Sequence, residues 1–518
     1  MKVPLRTVEN PELVIGLVGR IGTDLKKVVD QITLELTMLH YEAIPIHITD
    51  YIHGIKGVPV PKETPIEERY CSYISTCNFI RGETGRDDFL AFLAISAIRH
   101  HRKGVTGDFK TPPPKRVAYI INQLKRPEEV GLLRQVYGPL FIQISCHAHK
   151  ENRLRYMTRK IAADHPEDTK YERWQVEAIK LLDQDEAEET VPHGQRVRDT
   201  FPLADLVVDT SNEAVAQSGL NRFFRGLFGD YKISPTRDES GANLATVASF
   251  QSLDPSRQVG AAITTENGDV IALGCNEVPK FGGGIYWHGD DPDGRDFQLG
   301  RDENTVRKRN MVLEIVSILR AKGYFDEAKI TDETLLSAEF LDKKDAILKD
   351  TLIMDSLEFG RCLHAEMCAI TDAARNGLST RNAVIYTTTF PCHNCAKHIV
   401  GCGIVRVVYQ KPFPKSAVAE LYPDSVALDS AVPVTQKVAF EQFIGITSNR
   451  YNVIFEKERL KDAAGFFQNW QPKTSQPATN LVIRTHLDVE SGALAEIDDK
   501  LPQQYKAHLA APVRRAAE

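Results

Sequence analysis

The chain has 518 residues, a formal net charge of -6 and 42% hydrophobic residues. That is too long for one ordinary hydrophobic core, and the composition is that of a soluble globular protein. The acidic balance excludes a global basic footprint for nucleic acid, and no apolar run is long enough to span a bilayer. Nine cysteines, an odd and sparse set, exclude a disulfide framework and point to a reducing, cytoplasmic setting. The first twelve residues lack the apolar core of a signal peptide.

Residues 13–18 form a short apolar strand that runs into Gly16-Leu-Val-Gly19-Arg-Ile-Gly22-Thr23-Asp24 and then an amphipathic helix at 25–39. Strand, glycine-rich turn and helix is the context in which backbone N–H groups cradle a phosphate. Gly16, Gly19, Gly22 and Thr23 are therefore the candidate nucleotide-binding residues. Further strands are expected at 43–48, 116–122, 140–145 and 203–208, with helices at 83–102, 127–137 and 153–163. This alternation implies an α/β fold with a parallel sheet. The region 1–233 resembles a P-loop nucleotide kinase, with one departure. Aligned on Gly16 and Gly19, the position of the phosphate-steadying lysine is held by Gly22, ahead of Thr23. The resemblance without its cation implies a regulatory module for a nucleotide effector rather than a second enzyme. The acidic run 183–189 is expected to be solvated surface.

A polar, turn-rich joint at 234–241 opens a second domain, taken as 234–465. A helix is expected at 243–252, a hairpin turn at 266–269, and a return strand at 270–274. Two clusters carry the chemistry. His364 and Glu366 sit two apart at the start of a probable helix. Cys392 and Cys395 sit three apart, after Pro391, at the start of another, with an apolar β-branched strand between the clusters. A lone His-x-Glu is usually surface or core, and a lone C-x-x-C is a redox pair or half of a structural zinc site. Together, one His and two Cys give three zinc ligands and leave one tetrahedral position open, the mark of a catalytic site. Zinc there activates water, and Glu366, near the metal but not on it, is the proton carrier. H-x-E with P-C-x-x-C is the signature of zinc nucleobase deaminases.

The segments around these clusters resemble the deoxycytidylate deaminase family. They run D-P-x-x-Q-V-G-A at 254–261, G-x-N-x-x-P at 274–279, H-A-E at 364–366 and P-C-x-x-C-A-K at 391–397. The resemblance implies a cytidine-deaminase-like three-layer αβα domain. It implies His364, Cys392 and Cys395 as zinc ligands, Glu366 as the acid/base and Asn276 as a contact to the deoxyribose. The chain departs from the family in having Cys275 and Glu277 around that Asn, and in a long insert at 280–360. The start of the insert, with Gly282 to Gly284, Trp287 and His288, suits a functional loop, and helices are expected at 310–322 and 338–351. His288 and His393 do not fit the ligand spacing. After a strand at 405–409, Lys411 and Lys415 lie on a basic loop suited to a substrate phosphate. The extension 466–518 is expected to be loose at 468–479, to form a strand or pack back at 481–489, and to fray from 507.

A nucleotide-kinase-like domain fused to a deoxycytidylate deaminase domain is similar to the bacterial anti-phage dCTP deaminases. That resemblance implies conversion of dCTP or dCMP to the uracil nucleotide and ammonia, depleting cytosine deoxynucleotides during phage replication. It also implies regulation through the N-terminal domain, restraint by a small RNA, and a homo-oligomer such as a hexamer. Two rivals remain: a deaminase of tRNA or single-stranded DNA, and a catalytically inactive nucleotide or RNA sensor.

Overall fold

The structure is a computed structural model that describes residues 8–166, 171–188, 191–324, 340–341, 346–348, 351–354, 356–413, 416–430, 436–457, 461, 464–467, 469–479, 481–498 and 501–512. It is mixed α/β and divides into two compact units, residues 1–239 with 443–518 and residues 240–442.

In unit 1, β1 (Leu13–Gly19), β2 (Glu42–His47), β3 (Val117–Asn122), β4 (Phe141–His147) and β5 (Leu206–Asp209) form a parallel sheet in the order β5-β4-β1-β3-β2. All seven residues of β1 are buried. An unbroken apolar strand is what a parallel sheet covered on both faces demands. The helix Leu25–Met38 starts where the Asp24 side chain accepts the Lys27 N–H, and it buries Val28, Ile32 and Leu36 at helical spacing. The single helix expected at 83–102 is two, Ile66–Thr84 and Phe89–Thr106. Gly85 breaks them: its φ of 61° ends the first helix in a left-handed cap.

In unit 2, β6 (Gly260–Thr264), β7 (Val270–Cys275), β8 (Val384–Thr389), β9 (Arg406–Lys411), β10 (Val426–Leu428) and β11 (Val438–Gln442) give the order β10-β11-β9-β8-β6-β7. β6 runs antiparallel to both β7 and β8, and the remaining pairs are parallel. Ala261, Ile263, Ile385, Val407 and Phe440 share a core with Ala365, Ala369 and Ile399. The helix Ala365–Arg375 lies close on β7: a Cβ at Gly274 would stand 2.3 Å from the Ala365 carbonyl oxygen. Only glycine permits that approach.

After β11 the chain goes back to unit 1. β12 (Gly445–Ile446) pairs antiparallel with β5, and Ile446 and Ile454 join the unit 1 core. The joint thus falls at 442/443, whereas the sequence suggests 465/466, because the pairing and the apolar side chains after 443 belong to the first sheet. The extension also differs from expectation. Residues 481–489 enter the helix His486–Asp498, and residues 503–510 form the helix Gln503–Ala510, whose Tyr505 meets Phe89 edge-on at 5.3 Å. Most of the helix expected at 338–351 lies outside the described residues. Among the described residues no helix is long and apolar enough to cross a membrane.

Candidate active site

Two helix starts in unit 2 aim their first residues at one point. His364 precedes the helix Ala365–Arg375 with extended backbone, and Cys392 precedes the helix His393–Gly401 in the same way. Cys395 lies in the first turn of the second helix and is fully buried. His364 Nδ1 is 3.2 Å from Cys392 Sγ and 3.3 Å from Cys395 Sγ, and the three donor atoms lie within 4.8 Å of one another. A tetrahedral zinc about 2.3 Å from sulfur and about 2.0 Å from nitrogen holds neighbouring donors about 3.5 Å apart. The donor set therefore fits the ion, and Nδ1 is the histidine nitrogen that faces it.

The charges suit a metal as well. Hydrogen bonding from Cys395, and then from His364, holds the Cys392 thiol down to about 4 against the upward pull of burial. The Cys395 thiol is pushed up, foremost because it donates to Cys392. The hydrogen bond to Cys392 raises the His364 imidazole. A thiolate is thus ready at neutral pH. Glu366 sits one residue inside the helix with Oε2 3.3 Å from Cys395 Sγ. Burial, followed by the charge of Cys392, lifts its carboxyl above the usual range, so it holds a proton more firmly than an exposed glutamate.

His364, Glu366 and Cys392 line a cavity of about 180 Å³, with Cys395 buried behind them. Asn276 is on its wall, but its side-chain amide is already engaged. Oδ1 accepts the Val259 N–H at 2.7 Å and Nδ2 donates to the Arg257 carbonyl at 2.8 Å, fixing the strand entry at 257–259. Glu277, the family departure, is buried and accepts the Leu253 N–H at 2.9 Å, while its carbonyl accepts the Leu363 N–H at 3.0 Å. It thereby pins the turn beside His364. Lys411 ends β9 in solvent and is not among the cavity-lining residues, and Lys415 lies outside the described residues.

Sequence reasoning missed the residues that complete the wall. The insert contributes Asp296, Asp302, Asn304, Leu357 and Gly360. Asn304 holds it together, donating to the Ser356 carbonyl at 3.1 Å and accepting from the Phe359 N–H at 3.3 Å. Trp287 and His288, singled out in the sequence, do not line the cavity. Two guanidinium groups do. Arg361 pairs with Asp296, and Arg257 lies over the Phe413 ring at 5.1 Å with no carboxylate partner among the described residues.

In unit 1, Gly16 is inside β1, where a Cβ would stand 2.5 Å from Leu124 Cδ1, so it serves strand packing. Gly19 ends β1. Gly22 has a φ of 88° and abuts the Arg153 backbone. Thr23 lines a separate cavity.

Residues 236–411 match the family model described as the cytidine and deoxycytidylate deaminase zinc-binding region. The His/Cys/Cys donor set lies within that matched zinc-binding region. The deoxycytidylate deaminase of Enterobacteria phage T4 is 46% identical over 54 residues, 10% of this chain and 28% of that protein. The ComE operon protein 2 of Bacillus subtilis is 32% identical over 96 residues, 18% of this chain and 48% of that protein. The chain thus spans less than half the length of each. The dCMP deaminase of cyanophage S-TIM5, solved in complex with dCMP and dUMP, is 17% identical with a TM-score of 0.22. The match covers 40% of this chain and 98% of that one, a likeness too slight to bear on fold or activity.

Proposed function

We propose that the protein is a zinc-dependent hydrolytic deaminase of deoxycytidine nucleotides, producing the uracil nucleotide and ammonia from dCTP or dCMP. The observation that carries this reading is the convergence of the His364, Cys392 and Cys395 donor atoms, beside the proton-holding Glu366, at a cavity that His364, Cys392 and Glu366 line. Bound zinc supplies Lewis acidity that makes a water nucleophilic near neutral pH. The chain's own residues do the rest. The Glu366 carboxylate would take one proton of the attacking water to the ring nitrogen N3 and then carry the proton of the new C4 hydroxyl to the amine, which leaves as ammonia while the C4 carbonyl forms. Phe390 on the cavity wall supplies an apolar face for the base, and Arg257 at the rim is the cation for a substrate phosphate.

The polynucleotide reading is disfavoured by the same wall. Asp254, Asp296 and Asp302 line it, and carboxylates repel a phosphodiester backbone. The fused architecture and the sequence resemblance support anti-phage nucleotide depletion, regulation through unit 1, a small-RNA inhibitor and a homo-oligomer as parts of this proposal. The deciding experiment is ammonia release from dCMP, dCTP, CTP and cytosine-containing oligonucleotides, with Glu366→Ala as control. Turnover of dCMP or dCTP that the variant lacks is the expected result. Turnover of oligonucleotides alone would overturn the substrate assignment, and zinc-loaded protein inert on all of them would favour the sensor.

A further inference from the structure

Unit 1 carries a second set of metal-ligating side chains. Glu67 lies in the first turn of the helix Ile66–Thr84, Asp164 ends the helix Lys150–Asp164, and His165 caps that helix. A donor atom from each of the three lies within 4.8 Å of the other two. His165 Nε2 is 3.0 Å from Glu67 Oε1 and 3.3 Å from Oε2. Zinc ligated at about 2.0 to 2.1 Å holds neighbouring donors about 3.0 to 3.4 Å apart, so this spacing is that of a shared ion.

Two further features go beyond an ordinary ion pair. Two carboxylates converge on one imidazole, which offsets at most one of their charges. Among the described residues neither carboxylate is paired with a lysine or an arginine; Asp164 Oδ2 accepts the Ile66 N–H at 2.8 Å. The side chains of Glu67 and His165 are only 20% and 26% exposed, so water compensates that surplus in part. The imidazole is also held in one orientation. It stacks on Trp174 with ring centroids 4.2 Å apart and an interplanar angle of 8°. Trp174, on the helix Tyr171–Ala187, is itself fixed in a core with Met157 and Ile161. A ligand ring oriented by its surroundings is what a prepared metal site requires.

We propose that Glu67, Asp164 and His165 bind one divalent transition-metal ion of the borderline class, such as Zn²⁺ or Ni²⁺. One imidazole and two carboxylates suit that class. Mg²⁺ and Ca²⁺ take oxygen ligands, and Cu⁺ selects sulfur. The two carboxylates neutralise the ion, and the ion ties the start of one helix to the end of another. The site shares no residue with the donor set of unit 2, so it stands whether or not unit 2 deaminates nucleotides.

The test is titration of the full-length chain with Ni²⁺, followed by tryptophan emission and equilibrium dialysis. Open-shell Ni²⁺ quenches an indole stacked on its ligand, so emission should fall along a saturable curve. Cys392→Ser, with the unit 2 donor set broken, should show the same quenching. His165→Gln and Glu67→Gln should each lose it, together with one bound ion. Trp174→Phe should keep the ion and lose the quenching. An ion count unchanged in His165→Gln, or quenching that survives in Trp174→Phe, overturns the site. Quenching lost in Cys392→Ser also overturns it, and Mg²⁺ bound as tightly as Ni²⁺ overturns the class of ion. If circular dichroism shows His165→Gln unfolded, Glu67→Gln decides.

Discussion

Arg361 Nη1 lies 2.6 Å from Asp296 Oδ1, which joins the insert to the residue three places before the zinc-facing histidine. Asp296 is 6% exposed, and the second guanidinium nitrogen donates to the Gly294 carbonyl at 2.9 Å. The pair makes the insert a wall of the cavity at His364 rather than an appendage. Asp296→Ala should cut kcat/KM on the deoxycytidine nucleotide by about tenfold or more, since it strands a partly buried guanidinium. Zinc content, read by elemental analysis, should not change.

Removing a ligand acts differently. Cys392→Ser should lose the metal and the activity together, and a chelator should do the same to the natural chain. Atomic emission on the purified protein, followed by zinc re-addition to the chelated sample, checks both. Recovery is expected for the chelated natural chain and not for the variant.

Glu366→Gln separates proton transfer from metal binding. The amide keeps the shape but cannot carry the proton, so kcat should fall by about 10² to 10⁴. Zinc should stay bound, because Glu366 is not among the three donors. A variant that keeps its turnover would refute the assigned role.

Arg257 is the one cavity-lining guanidinium without an ion pair among the described residues. Arg257→Met should raise KM for a phosphorylated substrate by about tenfold, the worth of a charge-assisted hydrogen bond, and barely alter kcat. Steady-state kinetics on the nucleotide and on deoxycytidine test this, since the nucleoside should show no such penalty.

The buried charges of unit 1 give a pH prediction. Arg102 bonds Glu12 at 3.0 Å and Glu490 at 2.7 and 3.0 Å, with every side chain at most 5% exposed. Burial pulls the Glu12 carboxyl upward, but His486 and Arg102 together bring it below its ordinary value. A depressed carboxylate stabilises the fold above its unfolded pKa, and that contribution is lost as pH falls through the folded value. The melting temperature should therefore drop between about pH 5 and pH 3, and Arg102→Met should lower stability at neutral pH by about 3 to 5 kcal/mol by isolating two buried acids. Thermal unfolding across that range measures both.

The meeting of His364, Cys392 and Cys395, with Glu366 beside them, is legible because each half is a local motif, and the helices and strand that carry them follow from short-range periodicity. The cavity wall was not. Asp296 meets Arg361 across 65 residues of the insert, a separation that no local motif encodes. Asp185 misled in another way: it sits in an acidic run that suggests solvent, yet it is buried against Ile21 from 164 residues away, and Glu188 of the same run is 7% exposed and bonds Asn78. Gly16 shows a third limit. Glycine spacing does not separate a phosphate turn from a strand packed too tightly for a side chain, and only the position of Leu124 decides it.

The antiparallel pairing of Gly445 and Ile446 with Val207 and Leu206 has a practical consequence. A fragment that stops near residue 240 leaves β5 with a bare row of N–H and C=O groups, an open template for intermolecular strand addition. Residues 240–442 contain every strand of their own sheet. The second unit is thus a guest spliced into the chain of the first, and of the two it is the one suited to excision.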